Sequence, residues 1–404
     1  MITIIDKSKC CGCTACVQRC PKQCITLKED DEGFLYPHVE INKCIGCNLC
    51  EKVCPLINIS EKKAPIKVLA VKNRNEEERL NSSSGGIFIA LAKYVIDHGG
   101  VVFGAVFDEK WEVRHTYTEN VEGIIAMMGS KYLQSRIENT FSEAEFFLKQ
   151  GRKVMFTGTP CQIAGLRKFL KKEYTDLLLV DVLCHGVPSP KVWRKYLYET
   201  LKMCIQKNNI LSNISNIFPS ITSIEFRNKR LKGWKEYCLV VHFNKGFTLS
   251  KIHYNDSYMR GFISNIYLRP SCYQCKCKNG VSHSDLTIAD FWGINILMPE
   301  FDDDKGVALV LLNTQKGETI FTKLDMDIRI SSLKDAQKFN GGFKEEIKRH
   351  TKREYFFKKI NNNFSVENTI IEVLKIPLSI RMINKISRIA KRTKVNSLYK
   401  KLIK

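Results

Sequence analysis

The chain has 404 residues, and 64 Lys and Arg against 42 Asp and Glu give it a net charge of +22. That length exceeds a single small domain, and the charge favours an anionic partner, substrate or electron carrier. No helix-turn-helix, RRM or basic-aromatic pattern accompanies the charge, so nucleic-acid binding is disfavoured. The longest apolar stretch, residues 177–183, is interrupted by Asp181 and is too short to cross a bilayer. With no signal-peptide pattern at the start, we expect a cytoplasmic protein.

Two copies of the run C-x2-C-x2-C-x3-C-P lie at the start of the chain. Their cysteines are Cys10, Cys13, Cys16 and Cys20, then Cys44, Cys47, Cys50 and Cys54. This is the ligand run of bacterial two-cluster ferredoxins, in which the fourth cysteine of each run ligates the other cluster. We therefore expect two [4Fe-4S] clusters with crossed ligands, Cys54 joining the first three cysteines and Cys20 joining the second three. Zinc knuckles lack the third cysteine and the C-x3-C-P end. Cys11 and Cys24 lie outside the spacing and are expected to pack as small apolar residues.

The cluster module is expected to close near residue 59, and residues 60–65 read as a polar linker. Strands and helices then alternate, which predicts an α/β body with partly parallel strands. The predicted strands are residues 68–72, 101–107, 153–156 and 177–183. The predicted helices are residues 87–97, 141–149, 162–171 and 190–206, the last with Ser189 as N-cap. Strand-rich runs at residues 223–227, 237–243 and 247–251 predict a more antiparallel portion.

Three polar loops in this body are typical of nucleotide-binding sites. Residues 81–86 (Asn-Ser-Ser-Ser-Gly-Gly) precede a helix, whose N-terminus offers free N–H groups to a phosphate. Residues 129–135 and 157–162 add polar loops near strand or helix ends, where α/β proteins bind ligands. A single such loop is more often an ordinary helix cap. The three together favour a nucleotide such as a flavin.

Further cysteines follow in loops of the body: Cys161, Cys184, Cys272 and Cys275. They are candidates for the ligands of a third [4Fe-4S] cluster. Zinc is an alternative for four cysteines, and Cys161 and Cys184 are also compatible with plain core packing. Cys204 and Cys238, on a predicted helix and strand, fit core packing well.

The motif series resembles the coenzyme F-420 hydrogenase/dehydrogenase beta-subunit family, in its bacterial branch with an N-terminal two-cluster ferredoxin domain. The motifs run in order through residues 83–86, 129–135, 158–162, 181–189, 272–275 and 284–293. The resemblance implies an iron-sulfur flavoprotein in which Cys161, Cys184, Cys272 and Cys275 hold the third cluster. It implies FAD contacts from the polar loops, and the residues concerned are Ser84, Gly85, Gly86, Lys131, Gln134, Thr157, Gly158 and Thr159. Cys277 departs from the pattern and either replaces a neighbouring ligand or is inert.

We therefore predict an α+β protein, with a ferredoxin-like domain at residues 1–59 and a mixed α/β flavin-binding domain at 66–335. The second domain has sub-parts 66–220 and 221–335, and a basic helical tail follows at 336–404. The predicted function is electron transfer between a two-electron carrier, deazaflavin-like or nicotinamide, and one-electron partners through FAD and clusters. The alternative is a non-catalytic subunit that relays electrons to a partner oxidoreductase.

Two residues have candidate catalytic roles, and the tail has two interpretations. Lys131 is a candidate to stabilise negative charge on a reduced flavin, or is simply a solvated lysine. His185 is a candidate for proton transfer, or holds its loop by hydrogen bonds. Residues 373–404 carry basic residues with apolar ones at helical spacing, which suits an anionic membrane surface, a docked partner, or packing on the body. The hosts of this branch often lack coenzyme F-420, so the resemblance leaves the substrate open.

Overall fold

The N-terminal module is built from two equivalent loops, each carrying one cysteine run. The computed structural model describes residues 1–208, 220–244, 246–343 and 347–375. In the module, helices α1 (Ala15–Gln18) and α2 (Leu49–Lys52) flank a hairpin of antiparallel strands. Each helix starts after a residue with positive φ, Thr14 at 59° and Asn48 at 57°. The two runs therefore fold alike, since the same backbone turn follows the second cysteine of each.

The body is organised around an eight-stranded mixed sheet, with a separate three-stranded sheet in the residues described. The hairpin of the module consists of β1 Ile25–Glu29 and β2 Leu35–Val39. The strands of the body are β3 Lys67–Asn73, β4 Val101–Phe107, β5 Val113–Thr118, β6 Val154–Gly158, β7 Leu177–Val182, β8 Ile221–Asn228, β9 Cys238–Phe243, β10 Thr248–Ile252, β11 Leu286–Asp290, β12 Ala308–Leu312 and β13 Met326–Ser331. The large sheet has the order β13-β3-β12-β11-β7-β6-β4-β5. Strands β4, β6, β7 and β11 follow one another across the sheet as parallel neighbours. Their carboxyl ends meet at one edge, where α/β proteins bind ligands.

The helices of the body pack on both faces of the large sheet and against the small sheet. They are α3 Glu76–Asn81, α4 Ile87–Asp97, α5 Val121–Met127, α6 Thr140–Lys149, α7 Pro160–Leu170, α8 Pro190–Asn208, α9 Ser257–Ile263, α10 Ile294–Leu297, α11 Gln315–Phe321, α12 Leu333–Phe339, α13 Arg353–Asn361 and α14 Val366–Leu374. Helix α4 packs on one face with β3, β4, β6 and β7. Helices α6 and α7 pack on the other face, together with Cys13, Ala15 and Val53 of the module. The module is thus part of the same packed core as the sheet.

The small sheet and the C-terminal helices form a further core. Trp193 of α8, Phe226 of β8 and Tyr258 of α9 are buried there. Phe356 of α13 and Ile370 of α14 pack into the same cluster. Helices α13 and α14, which fall within the predicted tail, therefore pack on the body. The rest of the tail, residues 376–404, is outside the described residues. Among the described helices none combines the length and apolar character needed to span a membrane.

The predicted elements agree closely with the observed ones, and the mixed α/β class is confirmed. Strand β4 and helix α4 have the predicted bounds, and Ser189 Oγ accepts from Val192 N at 3.2 Å, as an N-cap does. The antiparallel portion is the small sheet β8-β9-β10. Strands β12 and β13 were not predicted, and they return to the large sheet beside β3. The large sheet thus takes strands from both of the predicted sub-parts.

Candidate cofactor centres

The structure brings the eight module cysteines together as two sets, each drawn from both runs. Cys10, Cys13, Cys16 and Cys54 line one cavity, and we name them the inner group. Cys20, Cys44, Cys47 and Cys50 line another, and we name them the outer group. The two cavities are alike in size, about 380 and 360 Å³ including their openings. This is the crossed arrangement that the spacing predicts, because the fourth cysteine of each run lies with the other three of its neighbour.

The two groups differ in their surroundings. The inner group lies against helix α7, where a Cβ on Gly165 would be 3.0 Å from Cys13 Sγ. The outer group is nearer solvent, since Cys47 is exposed. Cys24 also lines the outer cavity, with its Sγ 3.4 Å from that of Cys20. Burial raises the pKa of Cys16 to about 12, with the neighbouring cysteines adding to the effect. Such thiols need nearby positive charge to ionise, and the iron of a bound cluster would supply it.

A third set of cysteines meets at the loops after β6 and β7. The body group comprises Cys161, Cys184, Cys272 and Cys275, and the sulfur of Cys184 lies within electrostatic range of the other three. Burial raises the pKa of Cys272 to about 12. Its sulfur accepts from Val187 N at 3.4 Å, while Cys161 Sγ lies 3.2 Å from Thr159 Oγ1. No three His, Cys, Asp or Glu in the described ranges are arranged around a single metal ion. A cubane is larger than one ion and spreads its thiolates further apart.

Two cysteines outside the predicted sets connect the body group with the inner group. Hydrogen bonding with Cys11, and then burial, raises the pKa of Cys161. Cys11 is also adjacent to Cys13 of the inner group. Cys277 is 1% exposed and lies within electrostatic range of Cys161 and Cys54. Cys277 thus lies between the body group and the inner group. Cys11 was expected only to pack, but it contacts Cys13 of the inner group and Cys161 of the body group.

Arg269 joins the module to the body beside the inner group. It is 1% exposed, and its Nε donates to Cys10 O at 2.8 Å while its Nη2 lies 3.5 Å from Cys10 Sγ. Its Nη1 donates to Gln134 Oε1 at 2.9 Å, and Gln134 Nε2 donates to Cys11 O at 3.1 Å. Its described partners are carbonyls, an amide and a sulfur, with no carboxylate. Burial alone would lower the pKa of Arg269, but the nearby Cys10 sulfur raises this pKa above its ordinary value.

The loop of residues 81–86 is fixed against the sheet. Ser84 Oγ donates to Val307 O at 3.0 Å. Gly85 is required by close packing, because a Cβ there would lie 2.4 Å from Val71 O. Gly86 has a φ of +82° and precedes α4. This loop meets the second predicted loop, since Ser83 Oγ accepts from Ser130 N at 2.7 Å.

The other predicted flavin residues lie nearby with their side chains engaged. Lys131 Nζ donates to the carbonyls of residues 127, 128 and 129. Burial lowers the pKa of Lys131 to about 7, although these carbonyls favour its charged form. Thr157 Oγ1 donates to Phe103 O at 2.9 Å. Gly158 and Thr159 lead into α7, where Gln162 Oε1 accepts from Thr159 N at 2.8 Å. Gln134, by contrast, lies at the inner group.

His115 and Arg227 lie near these loops and were not predicted from the sequence. His115 is buried, its Nδ1 lying 2.6 Å from Ser135 Oγ and its Nε2 3.0 Å from Thr157 O. Burial lowers the pKa of His115 to about 4, so its ring is neutral. Arg227 pairs with Asp290, and its Nε and Nη2 are buried without a hydrogen-bond partner in the described structure. No sequence motif around either residue indicates a functional role, although Arg227 lies in a predicted strand.

Lys229 is a second basic residue beside Arg227. Its Nζ donates to Ser84 O at 2.6 Å, which ties it to the first predicted loop. Burial, with Arg79 and Arg227 nearby, lowers the pKa of Lys229 to about 7. An anion such as a phosphate would stabilise these desolvated cations. The residues at this edge therefore fit a phosphate-bearing cofactor.

His185, and Asp285 and Trp292 of the motif at residues 284–293, have structural contacts. His185 Nε2 lies 2.7 Å from Asn265 Oδ1, and burial lowers the pKa of His185. Asp285 accepts from Leu179 N at 2.9 Å and so fixes β11 beside β7. Trp292 stacks on Trp234 with ring centroids 4.8 Å apart. These contacts give His185, Asp285 and Trp292 structural roles.

Comparisons with known proteins match the two parts of the chain separately. Residues 3–61 match a 4Fe-4S dicluster domain family. Residues 151–336 match the family described as the C terminus of the beta subunit of coenzyme F420 hydrogenase/dehydrogenase. A search of curated proteins gave no match. Among solved structures, 13 chains match. One is from the F420-reducing [NiFe] hydrogenase complex of Methanosarcina barkeri, with 17% identity, a TM-score of 0.43, and 69% of this chain and 89% of that chain covered.

Proposed function

We propose that the chain is an iron-sulfur flavoprotein oxidoreductase, and the match of residues 151–336 to the C terminus of the beta subunit of coenzyme F420 hydrogenase/dehydrogenase supports this. In this proposal it transfers electrons between a two-electron carrier and one-electron partners. The inner and outer groups would each hold a [4Fe-4S] cluster, the body group a third, and the carboxyl edge FAD. A cytoplasmic setting suits these groups, since reduced thiols persist there.

The continuity of the three cysteine groups carries the proposal. Cys11 and Cys277 lie between the body group and the inner group. Cys16 of the inner group is within electrostatic range of Cys50 of the outer group. The outer group reaches the surface through exposed Cys47. This order supports a path from the carboxyl edge of the sheet to an external one-electron partner at the module.

The chain's own residues would position the flavin and keep water from it. Bound FAD supplies exchange between two-electron and one-electron chemistry. Gly85 allows the loop of residues 81–86 to lie directly on β3 and β12. Arg227 and Lys229 supply positive charge beside that loop for a pyrophosphate. Lys131, with its ammonium held by backbone carbonyls, would hold a positive charge near the ring.

A specific observation favours the second candidate function, a non-catalytic subunit that relays electrons to a partner oxidoreductase. The side chains of Ser84, Gln134, Thr157 and Thr159 all have hydrogen-bond partners within the protein. A flavin would have to use backbone N–H groups or displace these contacts. The relay function needs the three cysteine groups alone.

Donor specificity separates the two functions. The anaerobically reconstituted full-length chain is mixed with NADH, NADPH, a reduced deazaflavin or reduced ferredoxin, and flavin absorbance is followed. The oxidoreductase proposal predicts bleaching by one two-electron donor. The matched variant Cys184→Ser should still bleach, with slower transfer to the module clusters. Protein that contains clusters but no flavin supports the relay and contradicts the oxidoreductase.

A further inference from the structure

The cavity of the outer group opens at the surface of the module. Lys22, Ile45 and Cys47 are among the residues that line it. Cys47 is exposed, whereas the other cysteines that the structure describes are buried or partly buried. An electron tunnels only over a short distance. A protein that exchanges electrons with a cluster held by the outer group therefore has to bind at this opening.

Two isoleucines beside the opening are largely uncovered. Ile45 is 60% exposed and Ile41 is 70% exposed. They flank Cys44 of the outer group, whose backbone N–H donates to Ile41 O at 3.1 Å. Exposed isoleucine side chains lower the free energy of a complex when a partner removes them from water. An apolar centre with a polar rim is the usual composition of a protein interface.

The charged residues around the opening leave an excess of positive charge. Glu40 is paired with Lys43 at 2.6 Å, and Glu51 with the N-terminal amine at 2.7 Å. Lys22 and Lys52 are exposed, and neither forms an ion pair among the described residues. Both lysines would also offset the negative charge of a bound cluster, which by itself repels an acidic partner.

Lys52 lies on the same side of the module as the opening. It follows Leu49, which lines the cavity, by three positions on α2. Residues three positions apart on a helix are neighbours on one face. We name Lys22, Ile41, Ile45, Cys47 and Lys52 the outer surface.

We infer that the outer surface docks an acidic one-electron carrier protein, such as an acidic ferredoxin. The isoleucines form the centre of the contact, and Lys22 and Lys52 pair with carboxylates of the carrier. A basic carrier is disfavoured, because it would bring like charges together. One electron passes between the outer cluster and the carrier, so that one is oxidised as the other is reduced and no bond forms or breaks. The inference rests on the proposed function for the outer cluster alone and is independent of FAD and of the body group.

Binding of two carriers of opposite charge tests the choice of partner. An acidic two-cluster ferredoxin and the basic protein cytochrome c are each titrated anaerobically into the reconstituted full-length chain, and the dissociation constant is measured by calorimetry. At low ionic strength the ferredoxin should bind at least tenfold more tightly than cytochrome c. Its affinity should fall at least tenfold when the ionic strength is raised to about 0.3 M, because salt screens exposed charges.

Surface variants locate the binding site. The double variant Lys22→Glu with Lys52→Glu should weaken ferredoxin binding at least tenfold. The matched control is Lys334→Glu with Lys338→Glu on α12, which makes the same change of net charge at exposed positions and should alter binding less than twofold. This control separates local docking from attraction by the whole basic chain.

A second pair of variants tests the apolar centre. Ile45→Asp should weaken ferredoxin binding at least tenfold. Ile330→Asp, at a position that is 84% exposed on β13, should leave the binding unchanged. Iron content and thermal midpoints verify that every variant keeps its clusters and its fold.

The outcomes separate the inference from the proposed function. Tighter binding of cytochrome c, no ferredoxin binding, or equal effects of the outer-surface and control variants overturns the inference while the clusters remain intact. Absence of the outer cluster from the unmodified protein contradicts the proposed function, and the inference with it.

Discussion

Removing the charge of Arg269 should lower the reduction potential of the inner cluster. Its guanidinium lies 3.5 Å from Cys10 Sγ, is 1% exposed and has no carboxylate partner among the described residues. A [4Fe-4S] cluster with four thiolates is anionic and gains another negative charge on reduction. The buried cation therefore stabilises the reduced state more than the oxidised state, which raises the potential.

The size of the effect follows from Coulomb's law. With the guanidinium about 6 Å from the cluster centre and an effective dielectric constant of about 20, one charge contributes about 3 kcal/mol. For a one-electron couple this corresponds to about 120 mV. Arg269→Gln should therefore lower the inner potential by roughly 100 mV. Arg269→Lys keeps the positive charge but loses the planar set of guanidinium donors, and it should lower the inner potential less than Arg269→Gln does.

The assay is a redox titration followed by the electron paramagnetic resonance of the reduced clusters. The outer cluster serves as an internal reference, because the described contacts of Arg269 do not include its cysteines. Arg79→Gln is the matched variant, since Arg79 is also buried but pairs with Asp303. An inner potential that stays within about 20 mV in Arg269→Gln, with both clusters intact, would refute the electrostatic reasoning.

Further predictions concern ligand pairing, close packing and pH. Cys54→Ser should remove the inner cluster and Cys20→Ser the outer one, each with a loss of about four irons per chain; the opposite assignment by spectroscopy contradicts the crossed pairing. Gly85→Ala should destabilise the fold by about 3 kcal/mol, because the methyl group meets strand backbone. Gly129→Ala, with positive φ but open space, should cost about 1 kcal/mol, and equal thermal midpoints for the two variants would refute the packing argument. The raised pKa of Asp181, about 6 against 3.8, makes the folded state bind more protons than the unfolded state between these values. Stability should therefore fall as pH rises through this window, by up to about 3 kcal/mol, and thermal midpoints against pH should show less of this fall in Asp181→Asn.

Features that depend on local sequence could be predicted, and the crossed cysteine runs are the clearest example. Their spacing and proline ends restrict how a short loop can wrap a cluster. Helix α4 has its predicted bounds because its apolar residues repeat at helical spacing and Gly99 follows it. The mixed α/β body followed from alternating patterns of the same kind.

Features made by distant residues could not be predicted. Arg269 and Cys10 are 259 positions apart, and nothing near Arg269 indicates that it contacts a cluster ligand. His115 stands in an ordinary strand pattern and is identified only by Ser135 and Thr157 across the sheet. Cys11 was predicted to pack because its spacing fits neither run, yet folding places it beside Cys161. Burial and long-range pairing decide these roles.

The direct test of the central claim is the metal and flavin content of the full-length chain after anaerobic reconstitution. The proposal predicts about twelve irons, no stoichiometric zinc and one FAD per chain. Cys184→Ser should reduce the iron to about eight while both module clusters remain. About eight irons in the unmodified protein, with zinc on the body group or with no flavin bound, would contradict a three-cluster flavoprotein.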